Sequence, residues 1–396
     1  MSVTAARGFE AGGIACGIKP SGEADLAIVA TTDRRPVPAA AVFTTNVVTA
    51  APVQISREHL RDGSAAAVVL NSGNANAATG EQGRSDARRM CALTAESLGC
   101  APRDVLVCST GLIGVPLPME PVEAGVPKLA ETLGPRGDLA AEAILTTDTR
   151  PKEFADRLDL GDGTVAHVGG MAKGAAMLSP AMATMLAVIT TDVAIPADTL
   201  QAILAEAVEE SFHRLSIDGC TSTNDTVIAL AGGEAGNEPI QEGTAAYTQV
   251  SEAFRRGCAT LAEKMALDAE GMTKVVHVVV KGARAGDEAL RAARAVANSQ
   301  LVQCSLNGGD AYWGRVLSEL GASGTSFDPE NVDIAYGDVV VCRRSVASHH
   351  DADALAAVMA KSSITITCDL HEGDGGATIT TTDLSHAYID ENRRTS

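Results

Sequence analysis

Short apolar runs alternate with segments of helical periodicity along most of this 396-residue chain. Runs of this length, rich in aliphatic residues, are typical of buried β-strands. They predict strands at Ala39–Phe43, Ala65–Leu70, Val105–Cys108 and Val275–Val280. The alternation of such strands with helices favours a layered α/β fold.

Helical spacing is clearest in Asp198–Phe212, where the apolar side chains share one face and the glutamates lie off it. Asp86–Leu98 has the same pattern and is followed by Gly99, which predicts a left-handed C-terminal cap. A shorter helix is predicted at Asp351–Met359, and the Gly- and Glu-rich segment Ala231–Gly243 predicts a surface loop.

One uncharged stretch of 18 residues, Gly174–Thr191, approaches the length of a membrane span. Its small residues and Pro180 instead favour a buried turn that leads into a strand beginning at Thr184. The turn at Leu178–Pro180 also suggests a domain boundary near residue 180. The first residues lack the apolar segment of a secretion signal, so we expect neither secretion nor contact with a membrane.

Composition narrows the functional class. Hydrophobic residues make up 45% and charged residues 20%, which is enough to build a large core. The 31 basic and 50 acidic residues give a net charge of −19, which repels phosphate backbones, and aromatics amount to only 3%. Nucleic-acid binding is therefore excluded. The nine cysteines include no CxxC pair, which indicates free thiols in a reducing cytoplasm rather than a zinc site.

The common nucleotide and metal motifs do not occur. Gly169–Gly174 has a lysine among glycines, but the order Lys-Gly fails the phosphate-loop pattern. Neither GxSxG nor HExxH is found. His349–Asp351 is a weak metal candidate, because such a cluster before a helix is typical of a solvated loop. We therefore predict no metal and no cofactor.

Thr184 supports a specific chemistry of its own. Cleavage of the Ala183–Thr184 bond would give this threonine a free α-amine, which titrates near neutrality, at about 7.7–8.0 when unperturbed. Such an amine can act as the base for the threonine's own hydroxyl, so no histidine or aspartate partner is required. An ordinary threonine at the start of a strand is the plain alternative for this residue.

At these residues the chain resembles the ornithine acetyltransferases (glutamate N-acetyltransferases) of the cyclic arginine pathway, and the resemblance runs nearly end to end. The matching segments are Ala40–Asn46, Asn71–Ala77, Ser109–Gly114, Thr146–Lys152, Lys173–Leu186, Ser222–Thr226, Asp268–Lys274 and Trp313–Arg315. They are long, ordered and mutually spaced. The resemblance implies a two-domain layered α/β fold, similar to that of autoprocessing aminopeptidases of the DmpA type.

The resemblance also implies roles for individual residues. Thr184 would be both the self-cleavage site, with Ala183, and the nucleophile, while Thr110 and Gly111 would form the oxyanion hole. Val105–Cys108 would end a strand, so that a Thr-Gly turn aims a hydroxyl and an N–H at one point. The implied substrate-binding residues are Thr146, Lys173, Thr184, Glu270, Asn392 and Ser396.

The implied enzyme is cleaved into an α chain, residues 1–183, and a β chain, residues 184–396, which associate as an α2β2 heterotetramer. It would transfer acetyl from N2-acetylornithine to glutamate by a ping-pong mechanism. Several positions depart from the family pattern, and they suggest changes around the acceptor: Ala176, Ala181, Gln300, Gln303, Ala311 and Tyr312. A related acyltransferase of specialised metabolism and an autoprocessing hydrolase or peptidase therefore remain alternatives. The intact Ala183–Leu186 argues against a third, a non-catalytic binding paralogue.

Overall fold

The structure is a computed structural model that describes residues 2–161, 163–177 and 185–393. Its strands are β1 (Phe9–Ile14), β2 (Leu26–Thr31), β3 (Val37–Phe43), β4 (Ser64–Ala65), β5 (Ala67–Asn74), β6 (Val105–Leu112), β7 (Lys152–Asp159), β8 (Val165–Lys173), β9 (Leu186–Thr191), β10 (Thr226–Ala231), β11 (Val275–Ala283), β12 (Asp333–Tyr336), β13 (Val339–Arg343), β14 (Val346–Ala347), β15 (Ser363–Asp369) and β16 (Gly375–Thr382).

The helices are α1 (Ala51–His59), α2 (Gly80–Leu98), α3 (Met119–Ala130), α4 (Gly137–Ala143), α5 (Ala197–Glu209), α6 (Ala245–Ala266), α7 (Gly286–Ala297), α8 (Gln300–Asn307), α9 (Trp313–Ala322), α10 (Ala352–Met359) and α11 (His386–Asn392). Short 3-10 turns occur at Leu60–Asp62, Pro102–Asp104 and Phe212–Arg214.

The described strands form three sheets. The first has the order β1-β2-β5-β6, the second β4-β3-β10-β9-β8-β7, and the third β14-β13-β12-β15-β11-β16. In the second sheet β9 pairs antiparallel with β8 and parallel with β10, so that Leu186 lies opposite both Lys173 and Thr226. The strand that follows residues 178–184 is therefore an inner strand of this sheet.

The first two sheets lie face to face, with helices on both outer faces. Val68 and Leu106 of the first sheet share a core with Val188 and Ile228 of the second. The opposite face of the first sheet is covered by α1, α2 and α3, and the opposite face of the second by α5 and α6. Each strand contributes side chains to two cores, because successive residues point to opposite faces of the sheet.

The third sheet builds a separate core with α7, α8 and α9, in which Val278, Ile366 and Val296 are fully buried. The first two sheets and the helices on their outer faces make four layers. Together with the third sheet and its helices, they confirm the predicted layered α/β class. The chain passes from one hydrophobic core to another near Val275, whereas β8 and β9, on either side of residue 180, belong to one sheet. Strand pairing therefore continues across residue 180, where the turn suggested a domain boundary.

Most predicted elements are confirmed, with shifted ends. Asp198–Phe212 is α5 with its following 3-10 turn, and Asp86–Leu98 is the second part of α2, which begins at Gly80. Gly99 caps α2 with φ +78°, as predicted. Asp351 caps α10 by accepting from the N–H groups of the first turn. Within the described ranges, no helix is long and apolar enough to cross a membrane.

Candidate active site

The Thr110–Gly111 pair lies inside β6, which continues through Leu112. The predicted strand end at Cys108 is wrong, because β5 also extends past Leu70 and keeps pairing with β6. The register shifts at Gly73 and Asn74, a bulge of the kind that re-aims side chains beside functional sites. Thr110 and Gly111 are thus presented by a distorted strand and not by a free turn.

Gly111 cannot be replaced at this bulge without distortion. Its φ is +132°, a conformation that L-residues with a side chain rarely adopt. A Cβ placed there would lie 2.3 Å from the carbonyl carbon of Gly73. The close approach of two backbones therefore requires glycine, and it leaves the face of Gly111 away from Gly73 open.

The hydroxyl of Thr110 is buried, and in the part of the chain that the structure describes it has no hydrogen-bond partner. Thr110 lines a small pocket together with Gly111, Met177, Thr223 and Asn224. An unpaired buried hydroxyl carries a desolvation cost, which a bound oxygen atom would relieve. The arrangement can therefore donate a hydrogen bond to an oxyanion formed in this pocket.

Asn224 holds the pocket together, a role that no sequence motif indicated. Its side-chain Nδ2 donates to the carbonyl oxygens of Ala75 at 2.6 Å and Ser109 at 2.9 Å. Ser109 in turn donates through its hydroxyl to Oδ1 of Asn71. These buried amides join the loop before β10 to the bulged ends of β5 and β6, directly beside Thr110.

The predicted cleavage site, Ala183 and Thr184, lies outside the described residues, but both flanks of residues 178–184 are well defined. On one side, the N–H of Met177 donates to Oδ2 of Asp218 at 2.6 Å. On the other side, the N–H of Met185 donates to Oδ1 of the fully buried Asp225 at 2.9 Å. The described strand β9 begins at Leu186, and the predicted strand start at Thr184 lies outside the described residues.

Asp225 is an unusual acid at this position. Burial raises its pKa well above the ordinary value, and the Met185 N–H, the Ser222 hydroxyl and the charge of Lys173 oppose this only in part. Its second oxygen, Oδ2, has no hydrogen-bond partner among the described residues. The neutral, protonated acid is therefore favoured next to the residue that follows Thr184.

Lys173 and Thr146 lie together, as the resemblance implied. The Nζ of Lys173 donates to the hydroxyl of Thr146 at 2.6 Å and lies 3.6 Å from Oδ2 of Asp148. The lysine stands at the end of β8, opposite Leu186, with its side chain 2% exposed. A buried cation beside a hydroxyl can bind a carboxylate group.

Two further charged residues, Lys152 and Asp268, extend this cluster. The Nζ of Lys152 donates to Oδ1 of Asp148 at 2.6 Å and to Oδ2 of Asp268 at 2.5 Å. All three side chains are at least 96% buried. Removing one member of such a buried pair costs about 3–5 kcal/mol, because an uncompensated charge remains.

Burial and neighbouring charges set the protonation of the cluster. Burial lowers the pKa of Lys173, and the carboxylate of Asp148 opposes this effect. For Asp148, burial alone would raise the pKa, but the ammonium groups of Lys173 and Lys152 outweigh it and hold the pKa below its usual range. Asp148 is therefore an anion that stabilises both ammonium groups.

Glu270 and Asn392 also meet, although they lie far apart in the sequence. The Nδ2 of Asn392, at the end of α11, donates to Oε2 of Glu270 at 2.6 Å. The backbone N–H of Glu270 donates to the carbonyl of Ala175, two residues after Lys173. The fold thus brings the predicted acidic residue beside the end of β8. Ser396 lies outside the described residues.

Two of the positions that depart from the family pattern, Gln303 and Tyr312, lie elsewhere, whereas Ala176 adjoins Met177 of the pocket and Ala181 lies outside the described residues. The Nε2 of Gln303 donates to the carbonyls of Ile217 and Ala297, between α8 and its neighbours. Tyr312 is exposed and stacks with Arg315, 5.3 Å from its guanidinium carbon. Their described contacts are structural and include none of the residues assigned to the site. The described residues contain no group of three or more His, Cys, Asp or Glu placed to hold a metal.

The family of the chain follows from comparison with known proteins of similar sequence. The pattern of the ArgJ family matches residues 10–395. The chain belongs to the ArgJ family. The arginine biosynthesis bifunctional protein ArgJ of Symbiobacterium thermophilum is 47% identical over 388 residues, which cover 98% of this chain and 96% of that protein. ArgJ of Geobacter sulfurreducens is 44% identical, with 97% of each chain covered.

A solved structure agrees with this assignment. ArgJ from Bacillus halodurans is 33% identical and superposes with a TM-score of 0.50, covering 52% of this chain and 96% of its own. The predicted family, the acyltransferase class and the α/β fold are thereby confirmed. ArgJ membership does not support the alternatives of a hydrolase, a binding paralogue or an enzyme of specialised metabolism.

Proposed function

We propose that this ArgJ protein transfers an acetyl group from N2-acetylornithine to glutamate through an acetyl-Thr184 ester. The observation that carries the proposal is the pocket formed by Thr110, Gly111 and Met177. It combines an unpaired buried hydroxyl with the last described residue before Thr184. The N–H of Met185, the first described residue after Thr184, is held by Asp225.

The reaction begins with cleavage of the Ala183–Thr184 bond, which frees the α-amine of Thr184. In the first transfer, this amine accepts the hydroxyl proton while the threonine oxygen attacks the acetyl carbon of N2-acetylornithine. The tetrahedral oxyanion accepts hydrogen bonds from the Thr110 hydroxyl and the Gly111 N–H, each worth about 3–4 kcal/mol in other acyl-transfer enzymes. The proton passes to the leaving amine, and ornithine departs.

In the second transfer, the neutral amine of glutamate attacks the ester carbon of acetyl-Thr184. The same two donors stabilise the second oxyanion, and the α-amine of Thr184 carries the proton from glutamate's nitrogen to the threonine oxygen. N-acetylglutamate leaves and the free hydroxyl is restored. One oxyanion site thus serves both half-reactions, as ping-pong kinetics require.

Charged residues on two sides of the end of β8 bind the amino acids. Lys173 and Thr146 bind the substrate's carboxylate, because a buried ammonium and a hydroxyl are adjacent donors. Glu270, oriented by Asn392, binds the amino group of the ornithine side chain. Ser396 completes this second contact, as the family resemblance implies.

Cleavage leaves an α chain of residues 1–183 and a β chain of residues 184–396. The antiparallel pairing of Val168–Lys173 with Leu186–Thr191 supports their staying together, because it joins β8 of one chain to β9 of the other. The solved Bacillus halodurans chain is about half the length of this one, as a product of such a cleavage would be. We place the α2β2 enzyme in the cytoplasm.

A donor–acceptor exchange assay tests the proposal. Purified enzyme mixed with N2-acetylornithine and glutamate should give ornithine and N-acetylglutamate with parallel-line kinetics. Release of acetate at the same rate with or without glutamate would make the protein a hydrolase. Transfer only to another amine would retain the mechanism and reject glutamate as the acceptor.

A further inference from the structure

Two buried lysines share the carboxylate of Asp148, and they do so unequally. Oδ1 accepts hydrogen bonds from Lys152 Nζ at 2.6 Å and from the N–H of Gly174 at 2.7 Å. Oδ2 accepts from the N–H of Thr146 at 3.1 Å and lies 3.6 Å from Lys173 Nζ. Lys152 thus has the short contact, and Lys173 forms the longer of the two ion pairs.

This inequality leaves donors available on Lys173. An ammonium group has three N–H donors, and within the described ranges one of them is used, by the hydroxyl of Thr146. The negative charge of Asp148 still favours the cation, while its oxygens are occupied by Lys152 and by backbone N–H groups. Lys152 is itself restrained by Asp268.

We infer that Asp148, held in place by Lys152, is a positioning residue that keeps the ammonium of Lys173 charged and open to the substrate's carboxylate. This inference rests on the proposed function of Lys173. It assigns a role in substrate binding to two residues that need not touch the substrate. Without Lys152, the carboxylate of Asp148 would be available to shorten its 3.6 Å ion pair with Lys173 and would compete with the substrate.

Charged groups surround Lys173 from four directions. Asp148 precedes β7, Lys152 begins β7, and Asp225 precedes β10; each interacts electrostatically with Lys173. Lys19, after β1, also lies close enough to Lys173 for the two charges to interact. Asp148 is the carboxylate among these with the strongest effect, and it opposes the loss of the proton that burial promotes.

The test is the pH dependence of KM in the Asp148→Asn variant. Loss of the carboxylate lowers the pKa of Lys173 further, so the cation should be lost at a lower pH than in the wild-type enzyme. As pH rises, we expect KM for N2-acetylornithine and for glutamate to increase at a lower pH than in the wild-type enzyme, by about tenfold for each tenfold loss of the protonated fraction. Toward low pH, where protonation of Lys173 is favoured in both proteins, the two KM values should converge.

Asp156→Asn is the matched control, because it makes the same change on β7 in an exposed ion pair with Arg256. If Asp148→Asn folds poorly, Asp148→Asn combined with Lys152→Met removes both charges together. Because Lys152 lowers the pKa of Lys173, its loss offsets part of the effect, and this variant should show a smaller increase in KM at high pH. A KM profile in both variants that matches wild type and Asp156→Asn overturns the inference.

Lys173→Ala, measured alongside, separates the positioning role of Asp148 from the binding role of Lys173. A large increase in KM for Lys173→Ala with an unaltered profile for Asp148→Asn refutes the positioning role alone. Unchanged KM for Lys173→Ala refutes the proposed binding role of Lys173 itself. An increase in KM for both variants, with that of Asp148→Asn confined to high pH, supports the inference.

Discussion

The backbone N–H of Met185 donates a 2.9 Å hydrogen bond to Oδ1 of Asp225, a fully buried side chain just before β10. This bond links the residue immediately after Thr184 to a neighbouring strand. Thr226, the next residue, pairs with Leu186 in the parallel β9–β10 ladder. The beginning of the proposed β chain is therefore restrained from its second residue onward.

The first prediction concerns the protonation of Asp225. Because burial raises its native pKa, folding stability contributed by this group is present at low pH and is lost as pH rises from the unfolded value of about 3.9 through the native one. Asp225→Asn keeps the acceptor for Met185 and stays neutral. Its Tm relative to wild type should therefore increase from pH 5 to pH 8.

Differential scanning calorimetry of wild type and Asp225→Asn at several pH values measures this difference in Tm. Asp86→Asn, a buried acid on α2 that accepts from Gln82, controls for the chemical change itself. Asp225→Ala should lose about 1–3 kcal/mol, because the Met185 N–H then has no acceptor. A greater loss of stability for Asp225→Asn at pH 8 than at pH 5 would show that Asp225 is ionised beside Lys173.

The second prediction concerns processing at Thr184. Wild-type protein should show two chains, of 183 and 213 residues, by intact mass, and Thr184→Ala should remain a single chain of 396. Thr184→Ser retains a hydroxyl and an α-amine and should still cleave. Incubation with N2-acetylornithine alone should add about 42 Da to the β chain. Wild-type protein that stays full length while transferring acetyl groups would exclude cleavage as a requirement.

The third prediction separates stability from catalysis at Thr110. Its hydroxyl is buried without a partner among the described residues, so Thr110→Val should keep or slightly raise the Tm. Loss of an oxyanion donor should lower kcat about 10²–10³-fold. Thr94→Val is the control, since its buried hydroxyl donates to the carbonyl of Met90 and lies on a distant helix. A Thr110→Val enzyme with normal kcat would leave Gly111 as the sole donor.

The local pattern of hydrophobic and polar residues was enough to predict the helices and strands but not where they end. The apolar spacing of Asp198–Phe212 predicts α5, because one helical face packs on the sheet. The end of β5 could not be found in this way. Asn71 and Ser72 are polar yet fully buried, and their side chains bond to Asn74 and Ala143. A strand stabilised by buried amides has no apolar signature.

The site was predicted by resemblance, whereas its supporting contacts were not predicted at all. Lys152 and Asp268 are 116 positions apart and form a buried ion pair. Asn224 reaches Ala75 across 149 positions. Spacing arguments are local, so they cannot pair such residues. The only available signal was that charged and amide residues lie inside segments that otherwise match the family.

The last prediction concerns α11 and the binding of the amino group. Asn392 donates to Oε2 of Glu270 at 2.6 Å and to the carbonyl of Tyr388 at 2.9 Å, so it orients the carboxylate from the chain's final described helix. Asn392→Ala should raise KM for N2-acetylornithine several-fold with little change in kcat. Asn392→Asp should raise it more, because two carboxylates then repel each other and Glu270 loses its donor.

Asp390→Asn provides the control on the same helix, where Asp390 forms an exposed ion pair with Arg393. Steady-state kinetics with N2-acetylornithine, at saturating glutamate, distinguish the outcomes. An effect of Asn392→Asp that is no larger than that of Asp390→Asn would remove α11 from the site. A loss of kcat at unchanged KM would instead place the Asn392–Glu270 pair in the chemical step, since only interactions gained in the transition state change kcat alone.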